Sequence, residues 1–186
     1  MHPAGLVLAA GAGRRMGGPK AVLVDESGER WVDRAVRTLH EGGCAPVIVV
    51  LGAAVVDVPG ATVAIATDWA EGMGASLRAG LAAVAQHAPR ATAAVIALVD
   101  QPDLASEAVR RVGAAAATAS DAGVAAMAVY AGHRGHPVAL SRSIWSEVAA
   151  LAQDDRGARD WLATHPERVI EVDCTGLGSD RDVDSR

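Results

Sequence analysis

Aromatic residues are nearly absent from this 186-residue sequence, which has no phenylalanine, one tyrosine and four tryptophans. Its core must therefore be built mainly from aliphatic side chains. Cysteine is scarce too, because only Cys44 and Cys174 occur, which argues against a disulfide framework and favours a reducing compartment. A signal peptide and an apolar run of membrane-spanning length are also lacking. We expect a cytoplasmic protein with no membrane partner.

Basic charge is not in excess either, since the formal net charge is −5. A general nucleic-acid binder needs a basic face, so no nucleic-acid partner is expected. Apolar residues make up 51% of the chain and charged residues 21%, which is typical of a globular protein. The length suits one core and no linker divides the chain, so we predict a single domain over residues 1–186.

Short apolar runs alternate with helical segments along the chain. Strands are predicted at residues 6–10, 47–51, 62–66, 93–99, 123–130 and 169–172, and helices at residues 31–40, 106–119, 141–151 and 157–163, with another ending near residue 87. Residues 132–137 contain two glycines and a proline, and are predicted to form a loop. Such alternation produces βαβ units. The predicted fold is therefore α/β, a three-layer, Rossmann-like and mainly parallel sheet with helices on both faces.

A glycine-rich loop follows the first predicted strand and carries Arg15 and Lys20. Glycine lets the backbone turn sharply and approach a ligand closely, while consecutive N–H groups and nearby cations bind anions. Such a loop is typical of a polyphosphate site, the alternative being an ordinary turn with solvated basic side chains. The residues predicted to hold the ligand here are Leu8, Ala9, Ala10, Gly11, Ala12, Gly13, Arg15 and Lys20.

Two common phosphate-binding motifs fit this loop poorly. The P-loop requires a lysine followed by serine or threonine, whereas Lys20 is followed by Ala21. The dinucleotide fingerprint G-x-G-x-x-G is matched by Gly11 and Gly13, but Met16 stands where the third glycine belongs. A clear acidic residue at the end of a second strand is also lacking. A dinucleotide site is therefore only weakly indicated.

Residues 8–11 (LAAG), 15–17 (RMG) and 19–20 (PK) resemble the signature of the MobA-like NTP transferase superfamily. Residues 72–81, 99–102 (VDQP), 135–138 (GHPV) and 155–159 (DRGAR) are similar to segments of its MocA-like branch, the molybdenum cofactor cytidylyltransferases. The 182–185 segment (DVDS) resembles a last family motif, although the chain ends where the family continues into a closing helix. The resemblance implies the fold of the nucleotide-diphospho-sugar transferases.

The resemblance also implies a magnesium site. Asp100 of the VDQP segment would bind Mg²⁺ and would act in catalysis with Arg15 and Lys20, while Asp184 would be a second metal ligand. A carboxylate that ends a buried strand suits Mg²⁺, which takes a few carboxylates together with phosphate oxygens. Taken alone, Asp100 would more often be a turn or helix-capping residue.

Four further residues receive roles from the resemblance. Ser76 would contact the nucleoside, and His136, Asp155 and Arg159 would bind the acceptor substrate. Without the resemblance, an ordinary structural role is about as well supported for three of these residues. Ser76 could simply begin a helix, Asp155 could cap one, and Arg159 could be a solvated side chain. A metal pair of His133 and His136 is not expected, because no third ligand lies nearby in the sequence.

The function implied is Mg²⁺-dependent transfer of CMP, or another NMP, from an NTP to a small phosphorylated acceptor, with molybdopterin as the acceptor and pyrophosphate released. CTP is favoured because Ala10 stands where guanylyl-transferring relatives have glycine. A molybdoenzyme or its chaperone would be a protein partner. Two alternatives stay open: an NAD(P)H-dependent oxidoreductase of the same family acting on a heterocycle, and a nucleotide-binding module without catalysis.

Overall fold

The structure, a computed structural model, describes residues 2–179. This part of the chain contains the strands β1 (Ala4–Leu8), β2 (Val47–Leu51), β3 (Thr62–Ile65), β4 (Ala93–Leu98), β5 (Ala125–Tyr130), β6 (His133–Ser141) and β7 (Val169–Asp173). Its α-helices are α1 (Trp31–Glu41), α2 (Met73–His87), α3 (Ser106–Thr118), α4 (Trp145–Leu151) and α5 (Arg159–Thr164).

The strands form one sheet in the order β3–β2–β1–β4–β6–β5–β7. Neighbours from β3 to β4 pair in parallel, as do β5 and β7, whereas β6 runs antiparallel to both β4 and β5. Parallel neighbours require crossover connections, and helices supply most of them here. The mainly parallel α/β sheet predicted from the sequence is confirmed.

Helices cover both faces of this sheet. Successive side chains of a strand point to opposite faces, and β1 shows the result. Val7 packs with residues of α1 and α3 in one apolar cluster, while its neighbour Leu6 packs with residues of α2, α4 and α5 in another. The predicted three-layer arrangement is therefore confirmed. Between residues 2 and 179 no helix combines the length and apolar character needed to cross a membrane.

The prediction of a loop at residues 132–137 is wrong. Residues 133–137 form the first half of β6, which pairs antiparallel with β5 from Tyr130 opposite His133 onwards. Ala131 and Gly132 make the tight connection, with positive φ angles of 49° and 87°. A two-residue hairpin loop with two positive φ angles usually has the sequence Asn-Gly. Here alanine occupies the first position, so the sequence did not indicate a hairpin.

Some element boundaries also differ from those expected. The first strand ends at Leu8 rather than at residue 10, so the residues that follow it are free to form the site. The helix expected from residue 141 begins at Trp145, after a 3₁₀ turn at Arg142–Ile144. Leu8 and Leu98 are register partners in β1 and β4, so the two central strands end side by side. The loops that leave them therefore start from the same edge of the sheet.

Candidate functional site

The loop of residues 9–20, called the glycine loop below, turns back on itself beyond β1. Gly13 has a left-handed φ of 56°, and its carbonyl oxygen accepts hydrogen bonds from the amides of Met16 (2.8 Å) and Gly18 (3.3 Å). A Cβ at position 13 would lie 2.0 Å from the Gly18 carbonyl oxygen, so only glycine fits. The Met16 side chain is buried in the core and anchors the loop.

Lys20 and Asp100 form an ion pair at the base of the glycine loop. Lys20 lies in a 3₁₀ turn (Lys20–Val22), and Asp100 follows β4 by two residues. The Lys20 ammonium donates to Asp100 Oδ2, and the two side chains are only 19% and 11% exposed. The side-by-side ends of β1 and β4 explain how residues so distant in sequence meet.

A cavity of about 570 Å³ opens between the glycine loop and the start of α2, and is called the first cavity below. All ten residues predicted to bind a nucleotide line it: Leu8, Ala9, Ala10, Gly11, Ala12, Gly13, Arg15, Lys20, Ser76 and Asp100. Arg15 is exposed, while Ser76 is buried at the first turn of α2. The structure brings this set together, and the role of each member stays a prediction.

A second cavity of about 270 Å³ adjoins the first. The two share Leu8, Met73 and Leu98 in their walls. His136 and Arg159, both predicted to bind the acceptor, line the second cavity, whose other walls are largely aliphatic. A small molecule held there would lie directly beside a molecule held in the first cavity.

His136 is the titratable residue most affected by this environment. Burial lowers the pKa of its imidazole to about 4. The nearby carboxylate of Asp100 acts in the opposite direction and the guanidinium of Arg159 acts in the same direction. At neutral pH the ring is therefore uncharged, able to donate from one nitrogen and accept at the other.

Asp155 lies apart from its predicted partners. It lines the first cavity, whereas His136 and Arg159 line the second. Its Oδ1 accepts a hydrogen bond from the Met73 amide (3.4 Å) at the N-terminus of α2. The acidic helix cap considered as an alternative therefore exists, although the capped helix is α2 rather than the one that follows Asp155.

Among residues 2–179 no group of three or more histidine, cysteine, aspartate or glutamate side chains could enclose a metal ion. Asp100 is the metal ligand expected within this range, and Asp184 lies outside the described residues, so its assignment stays a prediction. The last described residues of the chain lie near the loop that follows Asp100. Ser179 Oγ donates to Asp103 Oδ2 (3.0 Å), in the loop that follows Asp100.

Several cavity residues were not predicted. Arg14, Trp69 and Met73 also line the first cavity, and Gln101 and Arg134 also line the second. The sequence offered a signal for Arg14, which precedes Arg15 in the same loop, and for Gln101, which follows Asp100. Neither Trp69 nor Arg134 stands in a recognisable motif.

A pre-shaped glycine loop, a cation and a carboxylate at the carboxyl edge of a mainly parallel sheet define a nucleotide-binding α/β protein. The sequence profile of the MobA-like NTP transferase domain matches residues 5–169. The chain belongs to the MobA-like NTP transferase family, and is nucleotidyltransferase-like in fold and sequence. This confirms the resemblance seen in the glycine loop.

The chain is similar to one named oxidoreductase and to several solved structures. The chain is 35% identical over 188 residues to the nicotine blue oxidoreductase of Paenarthrobacter nicotinovorans, covering 97% of this chain and 91% of the relative. The solved structure of Rv0371c from Mycobacterium tuberculosis is 28% identical with a TM-score of 0.76, covering 100% of this chain and 94% of that one. Rv0371c has also been solved in complex with manganese, at a TM-score of 0.73, 28% identity and coverage of 98% and 94%.

A more distant structure supports the fold alone. The 2-C-methyl-D-erythritol 4-phosphate cytidylyltransferase of Thermus thermophilus is 16% identical with a TM-score of 0.68, covering 98% of this chain and 94% of that chain. The three-layer architecture is therefore that of nucleotide-diphospho-sugar transferases, as the resemblance implied.

Proposed function

We propose that this protein transfers a nucleotidyl group from an NTP to a small phosphorylated acceptor. CTP is the proposed donor and molybdopterin the proposed acceptor. The observation that carries the proposal is the ion pair of Lys20 and Asp100, set against the glycine loop in a cavity of about 570 Å³ that adjoins a second cavity. A cation, a carboxylate and backbone amides are the groups that bind a metal–triphosphate complex.

In the proposed reaction, a phosphate oxygen of the acceptor attacks the α-phosphorus of the NTP. The bond from the α-phosphorus to the β-bridging oxygen breaks, and pyrophosphate leaves with the bonding electrons. Little covalent chemistry is required of the protein, so positioning and charge neutralisation provide the rate enhancement. The glycine loop amides would hold the triphosphate, while Arg15 and Lys20 would neutralise the charge that develops on the departing pyrophosphate.

The donor set available for a divalent cation fits magnesium. Mg²⁺ commonly binds one or two carboxylates, keeps several waters and takes its other ligands from substrate phosphates. Asp100 supplies one carboxylate at the cavity wall, and the manganese complex of Rv0371c supports divalent metal binding in this family. A bound Mg²⁺ would neutralise phosphate charge. Asp100 would hold it, with Asp184 as the proposed second ligand.

The second cavity is suited to the acceptor. Its walls are mostly aliphatic, and uncharged His136 and exposed Arg159 supply polar groups. An acceptor with an apolar body could present hydrogen-bonding atoms to His136 and an anionic group to Arg159. The shared wall would place that acceptor beside the nucleotide, as a direct transfer requires.

A second candidate function is supported by the nicotine blue oxidoreductase relative. In this alternative, the first cavity would hold NAD(P)H and the second a heterocyclic substrate. The local structure favours it less. A dinucleotide fold places pyrophosphate at the N-terminus of a helix that opens directly after the glycines. Here 3₁₀ turns follow the glycines, and α1 begins only at Trp31.

A ligand panel tests these functions against each other. Thermal unfolding would be followed with CTP, GTP or NADPH, each with and without Mg²⁺, since a ligand that binds the folded state raises its melting temperature. We expect CTP with Mg²⁺ to stabilise most and NADPH least. NADPH as the strongest stabiliser would favour the oxidoreductase.

Turnover is tested by pyrophosphate release from CTP in the presence of molybdopterin, which we expect only with Mg²⁺ or another divalent cation. Binding of CTP without release of pyrophosphate would support the alternative of a nucleotide-binding module without catalysis. The metal assignment is tested with Asp100→Asn, which should abolish release at any Mg²⁺ concentration. Behaviour like that of the unaltered protein would show that Asp100 is not the metal ligand.

A further inference from the structure

The loop of residues 152–157, called the docking loop below, lies against the N-terminus of α2 at an unusually short distance. A Cβ at Gly72 would be 2.5 Å from the Asp154 carbonyl carbon and 2.7 Å from Asp155 Oδ1. A Cβ at Gly74 would be 2.8 Å from backbone atoms of residues 152 and 153. Two glycines of the GMG segment are therefore required for the docking loop to lie where it does.

Arg78 of α2 fastens the docking loop in place. Its Nη1 donates to the Ala152 carbonyl oxygen (2.6 Å), while its Nη2 donates to Asp68 (3.0 Å) and Glu71 (3.1 Å). The same guanidinium thus joins the segment before α2, the helix itself and the docking loop. The position of Asp155 is set by these contacts within the protein.

Asp155 is an exposed residue that lines the first cavity and uses one of its two carboxylate oxygens in a hydrogen bond within residues 2–179. Oδ1 accepts from the Met73 amide, which fixes the carboxylate, and Oδ2 receives no hydrogen bond within residues 2–179. Asp155 lines the first cavity at the start of α2, where Trp69, Ala70 and Ser76 line it as well. The glycine loop and Lys20, which carry the anion-binding groups, line the same cavity from the segment that follows β1. Asp100 is paired with Lys20, whereas Asp155 forms no ion pair within residues 2–179. An unpaired carboxylate repels phosphate, so Asp155 is better suited to the nucleoside end of this cavity.

We infer, resting on the proposed function, that Asp155 binds a hydrogen-bond donor of the nucleoside and does not bind the acceptor. An ionised carboxylate only accepts hydrogen bonds. The donors at the nucleoside end of CTP, the proposed nucleotide, are the ribose hydroxyls and the exocyclic amino group of the base. Asp155 would therefore select ribonucleotides or amino-bearing bases, and the second cavity would contact the acceptor through His136 and Arg159 alone of the three predicted residues.

Two substitutions separate this role from helix capping. Asp155→Asn retains an oxygen for the Met73 amide but replaces the free oxygen with an NH₂ donor. Asp155→Ala removes both oxygens. The control is Asp154→Asn, because Asp154 lines neither cavity and its positive φ of 46° is one that asparagine tolerates. Melting temperatures of all three variants would report any effect on the fold.

Affinities for CTP, dCTP, 3′-deoxy-CTP, UTP and tripolyphosphate, each with Mg²⁺, provide the test. We expect both Asp155 variants to weaken CTP binding about tenfold to a hundredfold, the size expected for a hydrogen bond to a charged group, with tripolyphosphate binding unweakened and Asp154→Asn unchanged. If a ribose hydroxyl is the ligand, the analogue lacking it (dCTP for the 2′-hydroxyl, 3′-deoxy-CTP for the 3′-hydroxyl) binds the unaltered protein as weakly as CTP binds Asp155→Ala. If the amino group is the ligand, UTP binds the unaltered protein that weakly instead.

Three results would overturn the inference alone. These are CTP binding unaffected by Asp155→Asn, an equal loss of tripolyphosphate affinity, or an effect confined to the KM of the acceptor. Failure of the unaltered protein to bind any NTP would instead overturn the proposed function, and the inference with it. NTP binding by the unaltered protein therefore distinguishes a failure of the inference from a failure of the proposed function.

Discussion

Lys20 donates a hydrogen bond to Asp100 across a sequence separation of 80 residues, and both side chains are largely withdrawn from solvent. Lys20 is also the only lysine in the sequence. The opposite charges hold each other in the wall of the first cavity before any ligand binds. Neither charged group is therefore buried without a partner, and both keep the positions that the proposed function requires.

Removal of this lysine should abolish most transfer activity. In Lys20→Ala, loss of a positive charge that stabilises the transition state should cost about 3 kcal/mol, or a rate decrease on the order of a hundredfold. Circular dichroism should show an unchanged fold. Arg90→Ala serves as the control, because Arg90 is an exposed cation in the turn before β4, at the opposite edge of the sheet. A soluble Lys20→Ala variant with near-full activity would refute the catalytic role.

A single lysine also permits selective chemical labelling. Pyridoxal 5′-phosphate followed by borohydride should modify Lys20, because the reagent joins an aldehyde to a phosphate that the glycine loop can hold. We expect peptide mass spectrometry to find the label at Lys20, and CTP with Mg²⁺ to suppress it at least severalfold. Equal labelling with and without CTP would mean that the nucleotide does not cover this lysine.

Two glycines of the glycine loop should respond differently to alanine. A Cβ at Gly11 meets no atom within 4 Å, whereas one at Gly13 would collide with the Gly18 carbonyl oxygen and would require a left-handed φ. Gly11→Ala should therefore leave the melting temperature unchanged and weaken CTP binding, because its methyl group enters the cavity. Gly13→Ala should lower stability by more than 1 kcal/mol. Denaturant unfolding and CTP titration of both variants measure this, and equal stabilities would contradict it.

His136 should make the folded state less stable in mild acid. Its folded-state pKa of about 4 lies below the ordinary 6.5, so the unfolded chain binds more protons between these values. The contribution is fully present above pH 6.5 and is lost as the pH falls towards 4. The free energy of unfolding should decrease by about 2 kcal/mol between pH 7 and pH 5. Carboxylates contribute little to this change, because they titrate mostly at lower pH.

Urea unfolding of the unaltered protein and of His136→Gln across this range measures the difference. The variant cannot titrate at position 136, so its stability should change less with pH. Asp100 and Arg159, the charged groups that influence this imidazole, remain in both proteins. His133→Gln is the matched control, since His133 is exposed at the start of the same strand. Parallel pH profiles for all three proteins would contradict the assignment.

Much of the architecture follows from the sequence because it depends on local patterns. The apolar runs at residues 47–51 and 93–98 require burial on both faces of the sheet, and both form interior strands of it. The glycine loop could be located for a similar reason, since its glycines and cations are contiguous. Asp100 was selected because it ends a buried strand and because its VDQP segment resembles a family motif, and its role stays a prediction.

The remaining features depend on contacts that sequence spacing does not encode. Gly135 and Pro137 indicated a loop, yet the segment gains its hydrogen bonds from β5 and becomes a strand. Asp155 and Arg159 lie four positions apart in one motif, but a 3₁₀ turn and the positive φ of Gly157 (54°) send them to different cavities. Which side of a turn faces which cavity is decided by tertiary packing.

The paired ends of β1 and β4 have a consequence for divergence and engineering. Leu8 and Leu98, which are register partners in β1 and β4, line both cavities, so a substitution at either residue would alter both. Met127, Val138 and Leu162 line the second cavity only. Substitutions at those three positions would therefore alter the lining of the proposed acceptor cavity without changing a residue that lines the first cavity. A library that seeks new acceptors should vary them first.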